Sequence, residues 1–369
     1  MTERKMIVEN RRTFMKAVGT AALASAAGGC ASFPRASESF EQIPRLQLTQ
    51  LPTACNEMAN VTKLVGGPDL YIKRDDVMEL AHGGNKTRKL EYALAEALND
   101  GAKSVVTQGG LQSNHVRQTC SGAAKVGLEC HVILSNPVPE LEEELMGSGN
   151  YLMDQLMGAH IYQTDSGRGP VVERVLSELA AVGKRPYNIP AGASNGIGSL
   201  GYMNAARELI DQWDEMSIRP SHIFTASGSC GTQAGLLMGL RYFGNTSTEV
   251  VGISVSGSAA ALKKRTRDVL NMICDETMIA KDFIGDEEIV VNDEYIGAGY
   301  GHPSDGGVAA IRTIAESEGV ILDPIYTGKA MSAMLDMLKK QNLRNARDVV
   351  FLHTGGAPAI HPYADFLRS

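Results

Sequence analysis

The chain has 369 residues, 43% of them hydrophobic, enough for a sizeable core in two domains or one large α/β unit. Its formal charge is −7; five basic and two acidic side chains in the first 30 residues leave 30 basic against 40 acidic in the rest. Such an acidic body, without a basic run, argues against nucleic acid as a partner, and six cysteines without CxxC spacing give neither a zinc site nor a disulfide framework.

Asn10-Arg11-Arg12-Thr13-Phe14-Met15-Lys16 resembles a twin-arginine export signal, with paired arginines, an aromatic residue and then an Ala/Gly-rich run from Ala17 to Gly29. That run is short and weakly apolar for a transmembrane helix, which needs roughly 20 apolar residues. Cys30 follows Ala27-Gly28-Gly29 and is a candidate lipid-attachment cysteine, although lipid-attachment patterns usually carry Leu where Ala27 stands. Cleavage after Ala26 would instead release a soluble exported protein. Residues 1–35 are therefore expected to be an export signal handled by the twin-arginine machinery, with the mature chain periplasmic or lipid-anchored at the cell envelope. An ordinary amphipathic start is the alternative.

Beyond that segment strands and helices alternate. Leu70–Arg74 reads as a short strand, and Asp75-Asp76 lead into a loop carrying Gly83-Gly84. Leu90, Ala93, Leu94, Ala97 and Leu98 then recur at helical spacing. Ser104–Thr107 reads as a buried strand, followed by the loop Gln108–His115, a helix through Val126 and a strand at Cys130–Leu134. Helix Tyr151–Met157 precedes Ile161-Tyr162, and helix Val171–Ala181 precedes Pro186–Ile189. A second series runs through helix Gly201–Trp213, strand His222–Ala226, helix Gln233–Tyr242 and strand Val250–Val255. A polar helix from Ala259 to about Ala280, Ile289–Val291, helices Gly307–Glu318 and Lys329–Lys340 and strand Val349–His353 complete it. Strands alternating with helices imply parallel sheets with right-handed crossovers, and two such sheets with a site between them is the simplest architecture.

Three loops carry chemistry. In Gly83-Gly84-Asn85-Lys86-Thr87-Arg88-Lys89-Leu90 the glycine pair allows a tight turn, and Lys86 falls at a loop-to-helix junction where unpaired N–H groups welcome anions. A lysine held there suits covalent capture of an aldehyde cofactor whose phosphate binds nearby; a solvated basic first turn is the bland alternative. Ser227–Gly235 places glycines and small hydroxyls between a strand end and a helix start, a phosphate cradle or simply a tight turn. Ser113-Asn114-His115 lies at another strand-to-helix turn able to hold a substrate carboxylate; there Ser113 also suits a helix cap, and His115 a surface position or one behind the site.

Ile72-Lys73-Arg74-Asp75-Asp76, Gly83–Leu90, Gln112–Thr119, Tyr300-Gly301-His302-Pro303, Leu322–Lys329 and His353–Pro358 occur in one order and spacing. Together they resemble the pyridoxal-phosphate family of aminocyclopropane-carboxylate deaminases and D-cysteine desulfhydrases, over about residues 40–365. The resemblance implies an α/β fold of the tryptophan synthase β type (fold type II), two three-layer αβα domains with pyridoxal 5'-phosphate in the cleft between them. It implies residues 36–89 and 200–369 as the large cofactor-binding domain, 90–199 as the small one, and a homodimer. It implies Lys86 as the Schiff-base lysine, and Lys89 with Gly228, Ser229, Cys230, Gly231 and Thr232 as phosphate contacts. Asn114 corresponds to the residue at the cofactor's ring oxygen, Ser113 to the one at the substrate carboxylate, and Tyr300 and Tyr326 to two active-site tyrosines. Cys230 takes the variable small position of the family's phosphate loop.

Thr327 and Thr354 point to the branch. Deaminases of the family carry a glutamate after the second tyrosine and an apolar residue in place of Thr354, whereas desulfhydrases carry neutral hydroxyls at both. A carboxylate beside the pyridine nitrogen favours its protonated form and a deep electron sink; a threonine leaves it largely neutral and favours expelling a good leaving group from Cβ. The expected activity is conversion of D-cysteine to pyruvate, hydrogen sulfide and ammonia. Related eliminations from L-cysteate, a chloroalanine or D-serine, then cyclopropane deamination, are the alternatives. A non-catalytic exported binding protein on the same fold is the reading from another class.

Overall fold

The computed structural model describes residues 40–340, 343 and 346–368; residues 1–35, read as an export signal, and Cys30 lie outside them. In chain order come β1 (Cys55–Glu57), α1 (Ala59–Val65), β2 (Leu70–Arg74), α2 (Lys86–Asn99), β3 (Ser104–Gly110), α3 (Asn114–Val126) and β4 (Glu129–Ser135). They are followed by α4 (Glu142–Gly147), α5 (Gly149–Leu156), β5 (His160–Gln163), α6 (Arg168–Ala181), β6 (Pro186–Asn188) and α7 (Gly196–Glu215). The remainder is β7 (His222–Ser227), α8 (Gly231–Tyr242), β8 (Glu249–Ser254), α9 (Ala259–Thr277), β9 (Val290–Asn292), α10 (Asp305–Glu318), α11 (Thr327–Lys339), β10 (Val349–His353) and α12 (Ala364–Arg368).

Two sheets result. The larger has the order β1-β2-β10-β7-β8-β9 and the smaller β5-β4-β3-β6. All pairings are parallel except β1 with β2, an antiparallel edge absent from the sequence reading. Cys55-Asn56-Glu57 is too short to show a two-residue period, so only its partner β2 reveals it as a strand.

Side-chain alternation builds the layers. Along β10, Val350 and Leu352 enter a core with Leu200 and Leu209 of α7, Leu236 of α8 and Leu270 of α9. Their neighbours Val349 and Phe351 enter the opposite core with Ile311 of α10 and Met331 and Met334 of α11. In the small sheet Val105, Val132 and Leu134 pack with α2 and α3, while Val106 and Ile133 pack beneath Val172, Val175 and Leu179 of α6. Each such fully buried side chain contributes about 1.5–3 kcal/mol. Both sheets are thus covered on two faces.

Helix starts depart from the sequence reading for a local reason. Helix α7 begins at Gly196 rather than Gly201 because Asn195 caps it, its side chain accepting from the Gly198 N–H. The proposed boundaries after residues 89 and 199 fall within α2 and α7. Helix α2 serves both cores: Leu90, Ala93 and Leu94 face the small sheet, and Tyr92 packs with α7 and α8.

A buried charge cluster fixes α2. Asp75 receives Arg88 through two bonds of 2.8 Å, and Arg88 also donates to both oxygens of Glu208 at 2.9 Å. Tyr202 donates to Asp75 at 2.7 Å, and Lys73 to Glu208 at 2.5 Å. Burial alone would raise the Asp75 pKa; Arg88 outweighs it and holds the carboxyl below the usual carboxylate range. The cluster ties β2, α2 and α7 together two residues beyond Lys86.

Candidate active site

The carboxyl ends of β3, β7 and β10 converge on a cavity of about 300 Å³, at the lower end of the range for small-molecule sites. Its wall includes Lys86, Ser113, Asn114, Gly228, Ser229, Cys230, Thr232, Tyr300, Tyr326 and Thr354. Lys89, Gly231 and Thr327 do not reach the wall and stand directly behind it.

Lys86 opens α2 from a loop that only glycine permits. At Gly83, with φ +80°, a Cβ would lie 1.8 Å from the Asp76 carbonyl oxygen. Asn85 then organises the junction. Its N–H donates to the Thr354 carbonyl at 3.0 Å, its Nδ2 to Thr232 Oγ1 at 3.1 Å, and its Oδ1 accepts from Lys86 Nζ at 2.9 Å. Burial pulls the Lys86 pKa down to about 8, against the opposing pull of Asp323. The amine is therefore available as a nucleophile and base near neutral pH.

The cradle lies at the start of α8. Cys230 is its N-cap, in the left-handed region at φ 68°, and supplies no side-chain cap, so the helix N-terminus stays open to an anion. The Cys230 thiol packs against the carbonyls of Gly228 and Leu262, each 3.6 Å away, and burial raises its pKa. Lys89 is wholly buried, and among the described residues its ammonium meets no carboxylate; it lies 2.8 Å from Ser194 Oγ, which is 2.8 Å from Ser229 Oγ. A Cβ on Gly231 would sit 2.5 Å from Lys89 Nζ, so the glycine is what lets the lysine reach the loop.

Opposite in the fold, Ser113 is both roles at once: a wall residue and the N-cap of α3, accepting from the Val116 N–H at 3.3 Å. Asn114 is oriented from behind. Asn150 donates to Asn114 Oδ1 at 2.9 Å and is itself fixed by Arg117, which donates to Asn150 Oδ1 at 2.6 Å. With its oxygen engaged, Asn114 turns its NH₂ into the donor position. His115 is buried, not at the surface. Thr107 gives its one proton to the Ile189 carbonyl at 2.8 Å, so the His115 Nε2–H donates to Thr107 and Nδ1 is a bare acceptor. Burial, then Lys86 and Lys89, holds that imidazole neutral.

Tyr300 and Tyr326 share a hydrogen bond of 2.5 Å between their hydroxyls. Burial raises both phenols, Tyr326 further because the Tyr300 oxygen lies against it, so both carry their protons at neutral pH. Thr327 donates to Asp323 Oδ2 at 2.7 Å and accepts from the Asp323 N–H at 2.8 Å, so its hydroxyl proton is committed away from the cavity. Among the described residues, the charged side chains of the wall are Lys86, Arg168 and Arg265, with no carboxylate.

Sequence reasoning missed Asn150, Ser194, Asp323, Arg168 and Arg265. Asp323 lies within a recognised motif but was given no role; the other four lie outside every motif, and only the fold brings them to the site.

Residues 46–355 match the family described as pyridoxal-phosphate dependent enzymes, and the chain belongs to that family. A D-cysteine desulfhydrase from Salmonella typhi is 38% identical over 324 residues, 87% of this chain and 97% of that protein. The crystal structure of an ACC deaminase homologue superposes with a TM-score of 0.80 at 33% identity, covering 89% of this chain and 97% of the other. A fungal L-serine ammonia-lyase from Rhizomucor miehei, at TM-score 0.61 and 17% identity over 87% of this chain and 98% of its own, shares the fold. This is the fold type II architecture of pyridoxal-phosphate enzymes.

The donor set fits the cofactor. A buried lysine that meets no carboxylate among the described residues, an uncapped helix start and two serines suit a phosphate, and Lys86 and the Asn114 amide suit an aldehyde and a ring oxygen.

Proposed function

We propose that the chain converts D-cysteine to pyruvate, hydrogen sulfide and ammonia. The observation that carries this reading is the cavity wall: a lysine, a tyrosine pair and small hydroxyls, with basic groups but no carboxylate among its described residues. The identity to a D-cysteine desulfhydrase supports it. When bound, pyridoxal phosphate supplies an aldehyde that condenses with amines and a ring that accepts electron density released at Cα.

The protein's own groups do the rest. Lys89 and residues 228–232 would hold the phosphate, and Asn114 would donate to the ring oxygen. Ser113 and the first N–H groups of α3 would hold the substrate carboxylate. The Lys86 amine would take the Cα proton. The Tyr300–Tyr326 pair stands ready to protonate the departing sulfur, and the released enamine hydrolyses to pyruvate and ammonia. Thr354 in the wall, with Thr327 behind it, would offer the ring nitrogen a neutral hydroxyl rather than a carboxylate.

Incubating the protein with D-cysteine, L-cysteine, L-cysteate, a chloroalanine, D-serine and 1-aminocyclopropane-1-carboxylate tests the choice. Pyruvate with sulfide from D-cysteine, at the highest kcat/KM of the set, is the expected result. Pyruvate with sulfite, or 2-oxobutyrate, as the preferred product would overturn it. Cyclopropane deamination is the second reading, favoured by the similarity to the ACC deaminase homologue.

Residues 1–35 belong to the same proposal as a twin-arginine-like export signal, with Cys30 a lipid-attachment candidate and the mature enzyme a periplasmic or envelope-anchored homodimer. The division into a large domain (36–89 and 200–369) and a small one (90–199) completes it.

A further inference from the structure

We propose that Glu129, His131 and His160 form a binding site for a divalent transition-metal cation of the zinc type, on the small sheet and away from the catalytic cavity. Glu129 and His131 are two residues apart on β4 and so share one face. His160 on the parallel neighbour β5 stands in register with His131. One ligand atom from each of the three lies within 4.8 Å of the others.

A second observation points to a ligand. His131 is only 4% exposed, yet its Nε2 has no hydrogen-bond partner and lies 3.8 Å from Glu129 Oε2. Its Nδ1 is 3.1 Å from the Tyr162 hydroxyl. With Nδ1–H donating to that oxygen, Nε2 is a bare lone pair, the arrangement in which an outer partner orients a metal-ligating histidine. The ring of His160 stacks on His131 with centroids 4.4 Å apart, and since His160 is exposed it can turn to present a nitrogen. Lys184 pairs with Glu129, but both are about 40% exposed, so a cation can displace it at little cost.

Two imidazoles and one carboxylate suit zinc, leaving a fourth position for water; magnesium and calcium prefer oxygen throughout. His131 is level with Val106 on β3, whereas the cavity takes Gly109 and Gly110 from the same strand. The site is therefore roughly 10 Å along the sheet from the cavity, and the metal would join β4 to β5 without entering the reaction.

Calorimetric titration of the metal-stripped, cofactor-loaded protein with Zn²⁺ tests this, alongside His160→Ala, His131→Ala and Lys184→Ala. The expected result is a saturable site that His160→Ala weakens by about tenfold or more, that His131→Ala removes, and that Lys184→Ala leaves equal or tighter. Mg²⁺ should not compete. His160→Ala truncates an exposed side chain and keeps the fold, so it decides the matter. Zn²⁺ binding of unchanged affinity and stoichiometry in His160→Ala, or no saturable Zn²⁺ binding to the wild-type protein, would overturn the proposal.

Discussion

Lys86 is suited to act as a base because of where it is held. Burial sets its pKa near 8, so capture of added pyridoxal phosphate by the cofactor-free protein should accelerate about tenfold per pH unit up to pH 8 and level off above it. A rate still climbing past pH 9, followed by visible absorbance, would contradict that. Asn114 depends on a residue that the sequence never singled out. Removing the Asn150 amide frees the Asn114 side chain to rotate, and Asn150→Ala should raise the cofactor dissociation constant by about tenfold while costing about 1–3 kcal/mol of stability. An unchanged dissociation constant in a folded variant would remove Asn150 from the site. The placement of several site residues was legible from the motifs: Lys86, Ser113, Asn114 and the two tyrosines all reach the cavity. Asn150 and Ser194 were not, because each acts through a side chain brought from another element and carries no local pattern.

At the scale of elements, Asp75 of the motif Ile72–Asp76 clamps α2 through Arg88. Arg88→Ala leaves the buried Asp75 carboxylate without its guanidinium and Glu208 with Lys73 as its cationic partner, and unfolding free energy should fall by about 3–5 kcal/mol in denaturant titrations. The same cluster predicts an acid limit. The Asp75 pKa is depressed in the folded protein, so its contribution is fully present above about pH 4, the unfolded carboxyl value, and is lost as pH falls through the lower folded value. Stability independent of pH between 5 and 2 would rule the cluster out as a major support. Strands Leu70–Arg74 and Val349–His353 match their sequence-read limits, since each is an apolar run with an abrupt end. Helix starts were less legible: α7, α8, α10 and α11 begin two to five residues earlier than their sequence-read starts, and in α8, α10 and α11 the added residues are small or polar.

For the whole molecule, alternation of strand and helix announced two covered parallel sheets, and the carboxyl ends of their strands do meet at one cavity. What alternation does not encode is how the two cores share α2, because a helix packed on two cores has no sequence signature of its own. The acidic body likewise conceals a cavity wall whose charged groups are all basic, the sign that suits a phosphate and a substrate carboxylate. The most direct test of the account is turnover of D-cysteine by wild type and Lys86→Ala at pH 8, with sulfide and pyruvate both measured. The account predicts equimolar sulfide and pyruvate from the wild type and loss of both products in Lys86→Ala. Sulfide release by Lys86→Ala at the wild-type rate, or no products from the cofactor-loaded wild type, would contradict it.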